Sequence, residues 1–250
     1  MRHRFFLLGV LCCVVADVYA QFPYGTTGLL HAPSAEMNAK HTVMVGGSYL
    51  HKEATPPVWY YETYNYYLNF TFFPWLEMSY AMTLFKGYAI GVSDAGSKYT
   101  NQDRHFSVRL RLWKEGWWKA WTPQVVAGID DPTTQESTYS SLVSVQGTGN
   151  GYWQRWYLAA TKHIDWHGTW GLHASYVANQ RKDYPLHGLA YGVSYRPEVL
   201  HCVTLLADYD SRHPSAGFRL SFCRDIIHLT GELYDGRYPS GGVYFKWRLK

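Results

Sequence analysis

No stretch of the chain after residue 20 approaches the roughly 18 consecutive apolar residues that a spanning helix requires, so membrane insertion as a helix is excluded. No segment carries a convincing helical period. Cysteine is scarce: Cys12 and Cys13 fall within the first twenty residues, which leaves Cys202 and Cys223 as the one pair available to a disulfide. Familiar catalytic patterns are missing as well. There is no G-x-S-x-G and no Ser-His-Asp order that stands out, and Gly147-Thr-Gly149-Asn-Gly151 lacks the Lys-Ser/Thr and the following helix of a phosphate loop, so it reads as a turn. The formal net charge of +4 falls by one if Arg2, Arg4 and Asp17 are removed with a leader, which is too slight an excess to point to nucleic acid.

What is abundant is aromatic. Phe, Trp and Tyr make up 18% of the residues, with 22 Tyr and 11 Trp, more than a soluble core of this size needs. Tyr and Trp favour membrane interfaces, where one end of the ring is apolar and the other wet. A mean hydropathy of -0.28 suits a barrel that averages an apolar outside with a polar inside.

The first twenty residues have the order of a secretory leader: Arg2, His3 and Arg4, an apolar run over 5–15, and Val18-Tyr19-Ala20 before Gln21. Cys12 lies in mid-run, where a lipoprotein signal would not place it. The expected organisation is a signal peptide over 1–20 and a single domain over 21–250, in an oxidising compartment.

From His41 onward the chain reads as short alternating runs separated by turn signals. The clearest is Asp103-Arg-His-Phe-Ser-Val-Arg-Leu-Arg-Leu-Trp113. With side chains alternating at a period of two, Phe106, Val108, Leu110 and Leu112 share one face and Ser107, Arg109 and Arg111 the other. Strands are expected over 42–50, 58–71, 76–84, 104–114, 122–129, 138–145, 152–162, 169–179, 187–196, 201–209, 217–223, 226–234 and 242–249. An even count is favoured, so the expected fold is all-β, an antiparallel transmembrane β-barrel of about 12 strands. The last strand, Ser240-Gly-Gly-Val-Tyr-Phe245-Lys-Trp247, is similar to the C-terminal signal by which such barrels are recognised for insertion, although Arg248, Leu249 and Lys250 follow it.

Several stretches, in order along the chain, resemble the YjbH/GfcD family of exopolysaccharide-associated outer-membrane proteins. They are GTTGLLHAPSAEM from Gly25, NYYLNFTFFPWLEMSY from Asn65, DRHFSVRLRLWKE from Asp103, QVVAGIDDP from Gln124, YWQRWYLAATKHI from Tyr152 and GLAYGVSYRPEVLHCVTLLADYD from Gly188. The resemblance implies a barrel in the cell outer membrane linked to production or export of exopolysaccharide or capsule. It carries over no catalytic residues. Enterobacterial members are longer, so this chain is similar to a single-module version.

The informative constellation is the set of bases on the polar faces: Arg109, Arg111, Arg196, Arg219 and Lys246, with Arg248 beyond them. Two readings stand side by side. Converging guanidinium groups bind acidic glycans bidentately; alternatively these bases pair with Asp208, Asp210 and Glu232 to brace the lumen. Alternation also puts Cys202 and Cys223 on the inner face of neighbouring strands, where a disulfide or two separate thiols would fit. His163, Asp165 and His167 have the spacing of metal ligands on a strand but fall where a hairpin turn is due. Asp130-Asp131-Pro132 reads first as a turn. No cofactor or metal is expected.

The expected function is therefore a non-enzymatic outer-membrane component of exopolysaccharide export. Its expected partners are outer-membrane lipid, an acidic polysaccharide, other export proteins and, through the last strand, the barrel-insertion machinery. The rivals are a general solute channel and a barrel-embedded enzyme acting on lipid or polysaccharide.

Overall fold

Alternation of the kind seen at Asp103 to Trp113 recurs in strand after strand, and a sheet that is apolar on one side throughout can bury or solvate its edges only by closing. The computed structural model of the protein describes residues 24–56, 61–86, 99–132, 153–178 and 187–249. Its strands are β1 (Thr42–Leu50), β2 (Thr63–Phe73), β3 (Leu76–Lys86), β4 (Tyr99–Trp113), β5 (Gln124–Asp130), β6 (Arg155–Asp165), β7 (Gly168–Ala178), β8 (Gly188–Pro197), β9 (Val203–Tyr209), β10 (Pro214–Phe222), β11 (Ile227–Tyr234) and β12 (Tyr238–Arg248). Each pairs antiparallel with its neighbours in sequence, and β1 pairs with β12 to close the barrel.

Of the thirteen expected strands, twelve are present and β1 has the expected bounds. The run over 138–145 and the leader over 1–20 lie outside the described residues. Of the expected 58–71 strand, 58–60 lie outside the described residues and β2 begins at Thr63, while β4 begins five residues early at Tyr99 and β12 four early at Tyr238.

The faces divide as the alternation requires. In β2, Thr63, Asn65, Tyr67, Asn69 and Thr71 point inward and are buried, while Tyr64, Leu68 and Phe72 are exposed on the outside. In β4, His105, Ser107 and Arg109 are buried, while Phe106, Leu110 and Leu112 are exposed. An apolar exterior around a polar interior is the pattern of a barrel in a bilayer.

One end of the barrel holds the start of β1 and the end of β12 together with the connections 74–75, 114–123, 166–167, 198–202 and 223–226. The opposite end carries the three longest connections, 51–62, 87–98 and 131–154, with 179–187 and the short 210–213 and 235–237.

Candidate functional site

The segment ahead of β1 lies in the interior of the molecule. Every residue over 24–38 is buried, and Tyr24, Leu29, Leu30, Ala32, Ala35 and Met37 form one apolar cluster with Val126, Trp153, Tyr157, Ala159, Val177, Ala190 and Leu206 of the wall. The segment is a plug. Its tip is a tight turn in which Leu29 N donates to Ala32 O at 3.2 Å, closed by a bridge between Gly28 and Pro33. Two glycines make room for it. Gly25 has φ +63°, and a Cβ there would fall 2.3 Å from the Tyr67 ring; one on Gly192 would fall 2.5 Å from Leu29 Cδ1.

Two charged clamps of the wall hold the plug. Glu77 accepts from Thr27 N at 2.8 Å, from Thr27 Oγ1 at 2.6 Å and from Asn69 Nδ2 at 3.0 Å, and it pairs with Arg109 at 3.1 Å. Arg109 in turn donates to Thr27 Oγ1 and to the Ser34 carbonyl, so its fork spans both limbs of the plug. Across the lumen, one oxygen of Asp208 accepts from the backbone N of both His31 and Ala32 at 2.8 Å, and Glu232 Oε1 lies 2.8 Å from His31 Nε2. Lower on the plug, Ala35 N donates to Thr161 Oγ1 at 2.9 Å. Glu36 meets His163 Nε2 at 2.7 Å, while His163 Nδ1 meets Glu115 of the 114–123 connection at 2.6 Å. The imidazole therefore links plug and connection.

The bases singled out from sequence do not make a positive lumen. Arg109 is a plug clamp. Arg219 is buried near Tyr67 and Tyr244. Arg111 and Arg196 are half-buried, Lys246 pairs with Asp225, and Arg248 is exposed. Among the described residues, fully buried carboxylates outnumber fully buried guanidinium groups by eight to three. The bracing reading holds in kind, but with other partners: Arg109 pairs with Glu77, Arg155 with Asp130 and Lys246 with Asp225, while Asp208 and Glu232 serve the plug. Arg155, which sequence reasoning passed over, also lies with its guanidinium 3.4 Å from the centre of the Tyr24 ring.

Of the two arrangements open to Cys202 and Cys223, the structure has separate free thiols rather than a disulfide. Ser221 N bonds to Cys202 O, so Cys202 faces Ser221, while Cys223 has entered the left-handed turn at φ 51°. His163, Asp165 and His167 do not converge: His163 faces Glu36 and Glu115, Asp165 accepts from Thr169, and His167 sits at φ 50° in the two-residue turn. Cross-strand Ser-His bonds of 3.0 Å occur twice, at Ser221/His228 and at Ser194/His173, and both satisfy polar groups of the wall.

His31 makes the plug pH-dependent. Burial alone would lower its pKa, but Glu232, with Asp208 and Asp210 behind it, raises it from 6.5 to about 9. Because the pKa is raised on docking, the stabilisation is complete below pH 6.5 and is lost as pH climbs through about 9. Labelling of an Ala32→Cys variant by a water-soluble maleimide, normalised to an exposed Glu53→Cys control, should accelerate across that window. His31→Gln should flatten the profile.

The comparisons with known proteins follow from this geometry. The family model described as exopolysaccharide biosynthesis protein matches residues 20–198. No curated protein sequence matches the chain. Among solved structures, the chain is similar to outer membrane phospholipase A from Escherichia coli at 11% identity and a TM-score of 0.36, over 83% of this chain and 95% of that one. The expectation of a non-enzyme is corrected by that finding, because a barrel enzyme is among the similar folds. A likeness of this size transfers no activity to this chain.

Proposed function

The chain belongs to the YjbH family of exopolysaccharide biosynthesis proteins, and from that premise we propose that it is a plugged barrel of the outer membrane whose plug must shift for exopolysaccharide or capsule export. A leader over 1–20 delivers it across the inner membrane, and the domain that inserts begins at Gln21. The observation that carries the reading is the filled lumen: residues 24–38 occupy it on reversible hydrogen bonds and ion pairs rather than as a continuation of the sheet. A filled lumen speaks against a standing solute channel. Twelve strands enclose more space than the eight whose side chains alone fill a barrel, so a shifted plug leaves a path. The acid-rich wall suits a neutral glycan better than an acidic one.

The longer connections face the cell exterior and the termini the periplasm, as in other barrels of this kind. Phe245 and Trp247, stacked 5.8 Å apart on the outside of β12, are the groups that insertion machinery would read. The test is a tether. With Cys202 and Cys223 replaced by Ser, Ala35→Cys and Thr161→Cys should form a disulfide that pins the plug to β6. Oxidation should stop exopolysaccharide output without changing the amount of protein in the outer membrane, and reduction should restore it. Unchanged output with the tether closed would overturn the shifting plug, and recovery of the protein in the soluble periplasm would overturn its placement.

A further inference from the structure

At the terminus-bearing end, the arc from β2 to β7 carries aromatic side chains that the alternation does not account for. Register shifts between Thr71 and Phe73 and between Arg111 and Trp113. A bulge re-aims side chains and increases local twist. Each of these turns two consecutive residues to the outside: Phe72 and Phe73 on β2, Leu112 and Trp113 on β4. Phe73 stacks on Trp75 at 5.3 Å, and Trp113 packs edge-on against Trp117 at 5.5 Å.

The 114–123 connection is a built structure. Gly116 N donates to Thr122 O and Thr122 N to Lys119 O, while Glu115 is clamped by Lys162 at 2.6 Å and by His163 N at 2.9 Å. Lys162 also donates to Ala120 O. With the backbone fixed this way, Trp117, Trp118 and Trp121 still stand 64–66% exposed, and Trp166 of the adjacent hairpin 66%. Three large rings held in the open on a braced loop mark a contact surface.

We propose that this connection is a foot seated in the headgroup layer of the leaflet at that end, with phospholipid as its occupant. The proposal rests on the outer-membrane reading above. It is supported by continuity, because the outward face of β4 runs from Leu110 through Leu112 and Trp113 directly into Trp117. Charge agrees: exposed Lys114 and Lys119 flank the rings, Lys119 lying 4.7 Å over Trp118, where ammonium groups would meet lipid phosphates. Ring geometry disfavours a glycan. Trp118 and Trp121 are inclined at 61° and Trp113 and Trp117 at 79°, so they offer no flat platform to a sugar face. On one side of the barrel only, the foot would fix its tilt and depth.

The test uses the full processed chain in phosphatidylethanolamine and phosphatidylglycerol vesicles, with Cys202 and Cys223 replaced by Ser and bimane at single cysteines. Trp118→Cys reports the foot, Leu68→Cys the middle of the lipid-facing belt, and Glu53→Cys the water at the opposite end. Position 118 should be quenched by lipids spin-labelled near the headgroup and severalfold less by iodide than position 53. A position 118 as open to iodide as 53, with position 68 still lipid-quenched, would overturn the foot alone and leave the loop to a protein or glycan. If position 68 also reads as water, the membrane reading itself fails.

Discussion

Replacing Arg109 by Met should destabilise the folded barrel by about 3–5 kcal/mol, the cost of leaving a buried partner charge uncompensated. Glu77 and Arg109 are both without solvent exposure, and the variant would leave Glu77 with the Thr27 and Asn69 donors as its remaining contacts. The plug would also lose the fork that joins Thr27 to the Ser34 carbonyl. Denaturant unfolding in detergent should show the loss. The double variant with Glu77→Gln should recover most of it, because the charge that drives the cost is gone while an amide oxygen still accepts from Thr27 N. A single variant as stable as the parent would mean that water already reaches the pair, and the sealed lumen would have to be abandoned.

Leu68→Arg tests the opposite face. Leu68 lies mid-strand on the outside, between Val45 of β1 and Tyr80 of β3. A charge on the lipid face of a barrel costs about 2–4 kcal/mol near the bilayer midplane. The folded yield in vesicles, read as the heat-sensitive shift in gel mobility, should fall accordingly, and Leu68→Phe should leave it unchanged. Leu110, the more conspicuous residue in the sequence, is the weaker probe. It pairs with Leu76 at the very start of β3, close to the barrel end, where a charged side chain reaches water.

The faces of β4 from His105 to Leu112 were legible because a strand writes them locally: each position alternates regardless of what lies elsewhere in the chain, until the bulge before Trp113 breaks the period. The same holds for Phe245 and Trp247 on β12, and for the turn at His167. The arginines were left with two readings for the opposite reason. Whether Arg109 was free or paired could not be read on its own strand because its partners, Glu77 and Thr27, lie 32 and 82 residues away. No short pattern announces such a pair. The plug was passed over because it has neither a strand's period nor a helix's, although Leu29, Leu30, Ala32, Ala35 and Met37 give it more apolar character than a solvated linker needs.

The sequence by itself determined the all-β class, the even barrel and the side of the sheet on which the residues of β2 and β4 stand short of their bulges, since alternation and turn chemistry act between near neighbours. Tertiary structure alone decided what fills the interior and what sign of charge lines it. Closing β1 on β12 brings His31 to Asp208 across 177 positions and to Glu232 across 201. The energy of a buried charge depends on what it meets there rather than on the residues beside it in the chain.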